Sequence, residues 1–124
     1  MPFAYWCILI AALLPVVLVG YAKSSSRDNN APRDSAEKLQ GGKRRAYAAH
    51  QNAYENFPFF AVAVVAALSF GASATTVSIL AALYIACRIA HALLYINDVP
   101  SARSLAYLGG LLCNIAIFVL PAFK

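Results

Sequence analysis

The stretch RAYAAHQNAYENFPFFAVAVVAALSF, from Arg45 to Phe70, changes character at its midpoint. Its first half holds a histidine, a glutamine, two asparagines and a glutamate; after Pro58 it carries no polar residue until Ser69. Read as one helix, it places a polar surface on an element that continues as a membrane span. The rest of the chain decides what that surface faces.

Apolar residues make up 61% of the 124 and charged residues 12%, against about 45–50% and about 25% in a soluble domain. Mean hydropathy is +0.64. One membrane domain accounts for this length and composition. No charged side chain occurs in 1–22, 56–87 or 104–123. Lys23, Arg27, Arg33, Lys38, Lys43, Arg44 and Arg45 cluster in one segment, with only Asp28, Asp34 and Glu37 among them. Such a basic loop between apolar segments follows the positive-inside rule, and nothing around it resembles a nucleic-acid-reading motif. No nucleic-acid partner is expected.

An all-α fold of four transmembrane helices follows, with spans of about 20 apolar residues near 3–21, 46–70, 77–96 and 101–123. The first lacks the basic flank and cleavage site of a signal peptide. The loop at 23–45 is rich in Ser, Asn, Pro and Gly, with a short helical turn expected around DSAEKLQ, Asp34–Gln40. Pro58 removes a backbone donor and crowds the Tyr54 carbonyl, which predicts a kink. Gly71 to Thr76 forms an uncharged turn. Asp98 or Ser101 is expected to cap the last helix, with Pro100 near its first position. Four spans put the loops at 23–45 and 97–100 on one side, which the basic loop marks as cytoplasmic, and both termini on the other. Cys7, Cys87 and Cys113 lie in apolar runs without ligand spacing and read as small hydrophobes; no metal site is expected.

Small residues recur every four positions at Ala63, Ala67 and Gly71, at Ala82, Ala86 and Ala90, and at Ala102, Ala106 and Gly110. These stripes let helix backbones approach in lipid, within one bundle or between copies.

Polar residues also fall into stripes. Arg45, Asn52, Glu55 and Asn56 share one face of the second helix; Tyr84, Arg88, His91 and Tyr95 share one face of the third. At about 1.5 Å per residue, Glu55 and Arg88 both lie roughly 12–14 Å from the loop end, level enough to pair. Intramembrane charges mark wet cavities or interior pairs, so the stripes describe a polar cleft open to the cytoplasm. The Glu55–Arg88 pair reads equally as a structural lock. Arg103, with the free amides of the last helix, reads either as an anion site or as a positive-inside anchor.

RAYAAHQNAYENFPFF, together with CRIAHALLYINDVPSARSL from Cys87 to Leu105, resembles the MAPEG family, membrane-associated proteins in eicosanoid and glutathione metabolism. The second-helix motif is fairly specific, and the resemblance extends over nearly the whole chain. It implies a homotrimer of four-helix bundles in the bilayer, here of bacterial inner-membrane type. It also implies active sites between subunits that use glutathione as cosubstrate against lipophilic electrophiles. The same resemblance makes Arg103 the residue that stabilises the thiolate and assigns ligand binding to Arg45, His50, Asn52, Glu55, Arg88, His91 and Tyr95. His91 stands where many members have tyrosine, and Ala48 where the glutathione-using pattern has a second arginine. Two other readings remain: a non-catalytic bundle binding a lipophilic ligand or partner, and a small proton-coupled exporter built on Glu55.

Overall fold

Four long helices run through the computed structural model, which describes residues 1–24 and 39–123. They are α1 (Phe3–Ala22), α2 (Gly41–Ser69), α3 (Ala74–Ile96) and α4 (Pro100–Val119), the last followed by a 3-10 turn at Leu120–Phe123. No strand occurs among the described residues. The expected helical turn at Asp34–Gln40 and the basic residues Arg27, Arg33 and Lys38 lie in or mostly within 25–38, outside the described residues.

α1, α3 and the Pro100–Phe123 segment are long and apolar enough to cross a membrane, with mean hydropathies of 2.4, 1.9 and 2.0. α2 has the length, 29 residues, but its polar first half keeps it out of that group. It packs nonetheless along α1 and α3, and runs through Pro58 as one continuous helix. α1 likewise continues through Pro15.

Contacts between helix ends set the topology. Lys43, early in α2, donates to the Tyr21 carbonyl at the end of α1 (3.1 Å). Arg45 Nε donates to the Ile96 carbonyl at the end of α3 (2.9 Å). At the opposite end, the Ala4 amide donates to Ser78 Oγ (3.2 Å). The end of α1, the start of α2 and the α3–α4 turn therefore lie at one end, with Phe3 and the 3-10 turn at Leu120–Phe123 at the other.

Small residues make up much of the interior, with Phe60, Tyr84 and Ile117 as its large side chains. α1 turns Ala4, Cys7, Ala11, Leu18 and Ala22 inward, while Leu9, Leu13, Val16 and Val17 are exposed. A water-soluble bundle would hide those aliphatic chains; hydrocarbon solvates them, and the small interior residues allow close approach of the helices. Of the small-residue stripes, Ala63 and Ala67 are buried and Gly110 lies against Arg88 and Tyr84 of α3. Ala82 and Ala86 instead point outward. α3 turns Val77, Ala81, Tyr84, Arg88, His91 and Ala92 inward in their place.

Turn chemistry fixes the helix ends. Gly71 closes α2 with φ of 84°, allowing the Ala72 amide to reach the Ala67 carbonyl (3.0 Å). A Cβ is unfavourable in this left-handed conformation, so Gly71→Ala should lower stability by about 1 kcal/mol; thermal unfolding in detergent would register it. The α3–α4 turn corrects the expected cap. The residue at the cap position of α4 is Val99, which forms no side-chain cap, with Pro100 first in the helix. Asp98 is instead committed to closing α3. It adopts φ of 58°, which Asp tolerates better than most residues, and the Val99 amide then bonds the Leu94 carbonyl (2.9 Å).

Candidate functional site

The inward face of α3 forms the wall of the site. Tyr84, Arg88 and His91 succeed one another at helical spacing, and all three are buried. Arg88 is only 3% exposed. Its Nη2 donates to Asn52 Oδ1 across the α2–α3 interface at 2.5 Å. Asn56, one turn along α2, donates Nδ2 to the Asn52 carbonyl (2.8 Å) and to its Oδ1 (3.3 Å). Asn52 thus collects two donors and holds the guanidinium in place. A neutral acceptor orients a buried arginine without cancelling its charge.

Nearer the loop end the polar wall opens into a cavity of about 350 Å³, lined by Asn52, His91, Tyr95, Arg103, Ser104 and Tyr107. Arg103 lies on the Tyr95 ring, its Cζ 4.4 Å from the centroid, a cation–π contact that limits where the guanidinium can move. The His91 ring meets Tyr95 edge-on at 5.6 Å and Tyr107 at 6.1 Å. His91 Nδ1 is buried without a hydrogen-bond partner among the described residues. Among the described residues, no carboxylate lines the cavity. Its positive charge and its donors therefore suit an anion.

The expected site residues divide into two groups. Asn52, His91, Tyr95 and Arg103 line the cavity, and Arg88 stands behind it through Asn52. Arg45, His50 and Glu55 are not part of it. Arg45 is spent on the C-terminal carbonyl of α3, where the helix dipole favours a cation. His50 faces α1, its Nδ1 2.9 Å from the Pro15 carbonyl, between the rings of Tyr47 and Tyr54. Glu55 corrects the expected pair with Arg88: it is exposed, and Asn52 takes the guanidinium in its place. The free amides expected beside Arg103 are also fewer. Pro100 has no N–H, and the Arg103 amide bonds the Val99 carbonyl (3.0 Å).

Sequence reasoning missed Ser104 and Tyr107. Tyr107 follows Arg103 by four residues and so shares its face, a signal visible in SARSLAY. It also missed Asn114, which is 2% exposed with Oδ1 unpartnered among the described residues. A lone amide in the apolar run LLCNIAI is the kind of residue that faces a bundle interior.

Fold and site together define an integral membrane protein of four packed helices with a cationic cavity near one end. The model of the MAPEG family matches residues 3–123, and the chain belongs to that family. Membership supports, at family level, a glutathione-related transferase or allied membrane role. No curated protein and no solved structure shows a significant match.

Proposed function

We propose that the protein is a glutathione- or related thiol-dependent membrane transferase or peroxidase acting on lipophilic electrophiles. The observation carrying this reading is the cavity itself, in which Arg103 is held by Tyr95, Arg88 is held behind by Asn52, and no acid among the described residues lines the wall. Glutathione is a tripeptide thiol with two carboxylates. One anionic group meets the Arg103 guanidinium directly, and Arg88 adds its charge from behind Asn52. The glutathione ammonium finds no carboxylate in this cavity among the described residues, Glu55 lying outside it. In this reading Arg103 stabilises the thiolate, raising its population at neutral pH. The thiolate then attacks an electrophile arriving from the surrounding hydrocarbon.

A homotrimer completes the proposal. Gln51 and Glu55 are exposed one turn apart on α2, and a glutamate at that depth does not face hydrocarbon without a large cost. A neighbouring subunit covering this face removes the cost, and the outward-facing Ala82 and Ala86 permit close approach. The basic segment between α1 and α2 supports a cytoplasmic placement of the cavity end, and the family resemblance suggests a bacterial inner membrane.

Ala48 supports a second reading, a non-catalytic bundle that binds a lipophilic ligand or a partner. It leaves an anion contact of the family pattern unfilled. Calorimetric titration of glutathione into the detergent-solubilised protein separates the two readings. Saturable binding is the expected result. Absence of heat at millimolar glutathione would favour the non-catalytic bundle.

A further inference from the structure

Two of the three cysteines meet between α3 and α4, outside the cavity. Cys87 and Cys113 are free thiols, and neither is fully buried. They are hydrogen-bond partners across the interface, the Cys113 thiol donating to Cys87 Sγ. Gly109, one turn before Cys113, makes the approach possible. A Cβ there would stand 3.0 Å from Cys87 Sγ, too close for undisturbed packing. Cys7, on α1, is buried. Taken singly, each sulfur is a small hydrophobe; together, Cys87 and Cys113 are a dithiol.

Position decides which oxidant reaches the pair. Cys87 precedes Ile96, the last residue of α3, and Cys113 follows Pro100, the first of α4. At about 1.5 Å per residue both sulfurs lie roughly 14–20 Å from the loop end, near the middle of a ~30 Å hydrocarbon layer. Leu83, one turn before Cys87, and Leu112, beside Cys113, are exposed, so the thiols sit at the lipid-facing seam of the two helices. Ala82 and Ala86 form the face given above to a neighbouring subunit. Cys87 is turned from them by about 140° and about 100°, at 3.6 residues per turn. An oxidant at this depth is lipophilic. Thiols, an acyl-chain hydroperoxide and their products are all neutral, so the overall change leaves no charge in hydrocarbon.

We propose that Cys87 and Cys113 are a redox pair that reduces hydroperoxides of bilayer acyl chains and closes into a disulfide between α3 and α4. Thiol-dependent activity at the cavity is not required. The thiolate is the nucleophile, and Arg88, next in α3, lies close enough for its charge to act on Cys87. Cys87 therefore attacks first. Its sulfur bonds the terminal peroxide oxygen, the O–O bond breaks, and the departing alkoxide takes the Cys87 proton to become the lipid alcohol. Cys87 is left as a sulfenic acid, which condenses with a neighbouring thiol. Cys113 sulfur bonds Cys87 sulfur, the S–O bond breaks, and the departing hydroxide takes the Cys113 proton as water. The dithiol loses two electrons and the hydroperoxide gains them. The new bond ties the helix carrying His91 and Tyr95 to the one carrying Arg103 and Tyr107, the two walls of the cavity.

The full chain in phosphatidylcholine vesicles, treated with a phosphatidylcholine hydroperoxide, tests the proposal. Thiol titration, peptide mapping without reductant and lipid analysis are read together. Free thiols should fall from three to one, with the Cys87 and Cys113 peptides joined within one chain. One lipid alcohol should form per disulfide. Cys113→Ser should halt the reaction at a sulfenic acid on Cys87, which dimedone captures. Cys87→Ser should leave the hydroperoxide unreduced. Hydrogen peroxide, which partitions into water, should form the disulfide more slowly than the lipid hydroperoxide does. Should either serine variant fail to fold, the wild-type map still decides. Three thiols surviving excess hydroperoxide, a disulfide between separate chains or one that includes Cys7 overturns the proposal. Hydrogen peroxide acting as fast as the lipid hydroperoxide overturns the assignment of the oxidant.

Discussion

Arg103→Ala should reduce thiol conjugation about 10²- to 10³-fold in kcat, the loss typical of removing one preorganised group that stabilises a developing anion. The geometry predicts that the loss falls on chemistry more than on binding. Asn52, His91, Ser104 and Tyr107 remain to line the cavity, so KM for the thiol should rise only a few-fold. The pH profile gives a sharper signature. With the cation present, the bound thiol ionises more readily than in water; without it, ionisation returns towards the ordinary thiol value of about 8.5. The deficit should therefore shrink as pH rises. Arg103→Lys should recover part of the rate, because it keeps the charge but not the planar guanidinium that stacks on Tyr95. A deficit independent of pH, or one confined to KM, would place Arg103 in ligand anchoring instead.

Asn52→Leu should be the most destabilising single change in the site. Asn52 Oδ1 is the acceptor for Arg88 Nη2, and leucine would leave a buried guanidinium without it. Losing a hydrogen bond to a buried charged group costs about 2 to 3 kcal/mol. The apolar replacement of both partners, Asn52→Leu with Arg88→Met, removes the stranded charge as well as its acceptor. This double variant should be more stable than Asn52→Leu alone, because burying an unpaired charge costs more than losing the pair. Thermal unfolding of the four members of this cycle in one detergent gives the coupling directly. Additive effects would mean that Arg88 finds another acceptor when Asn52 is lost.

Both predictions depend on side-chain partners, which is where sequence and structure part company. The face of α3 was readable because Tyr84, Arg88, His91 and Tyr95 recur at one helical spacing in an otherwise apolar run. α2 was harder. Asn52 and Glu55 are only about 60° apart around a helix of 3.6 residues per turn, so one stripe can contain both. A modest rotation of α2 about its axis decides which of them meets Arg88. The structure turns Asn52 and Asn56 inward and leaves Glu55 outside. Matching depth along the helix axis carried no information about that rotation.

Arg45 and His50 show the same limit. Each is polar and adjacent to the motif, but Arg45 reaches the Ile96 carbonyl and His50 the Pro15 carbonyl. Those acceptors belong to distant parts of the backbone, and no local pattern announces them. The Pro15 carbonyl is especially obscure, because nothing about an apolar first helix marks one of its carbonyls as a partner for histidine. Tyr107 was legible in principle, four residues after Arg103, but only the packing of α4 against α3 brings it to His91.

The sequence by itself determined the all-helical membrane fold, the order of its four long elements, the end at which charge collects and the inward face of α3. These follow from hydropathy and helical period, which act within a single element. The tertiary structure decided that Arg88 is held by Asn52, that Arg103 lies on Tyr95, and that Glu55 is left for a surface outside the cavity. Those outcomes depend on the relative rotation of neighbouring helices, which packing of small residues such as Ala49, Ala53 and Gly110 settles across the interfaces and periodicity within one helix does not.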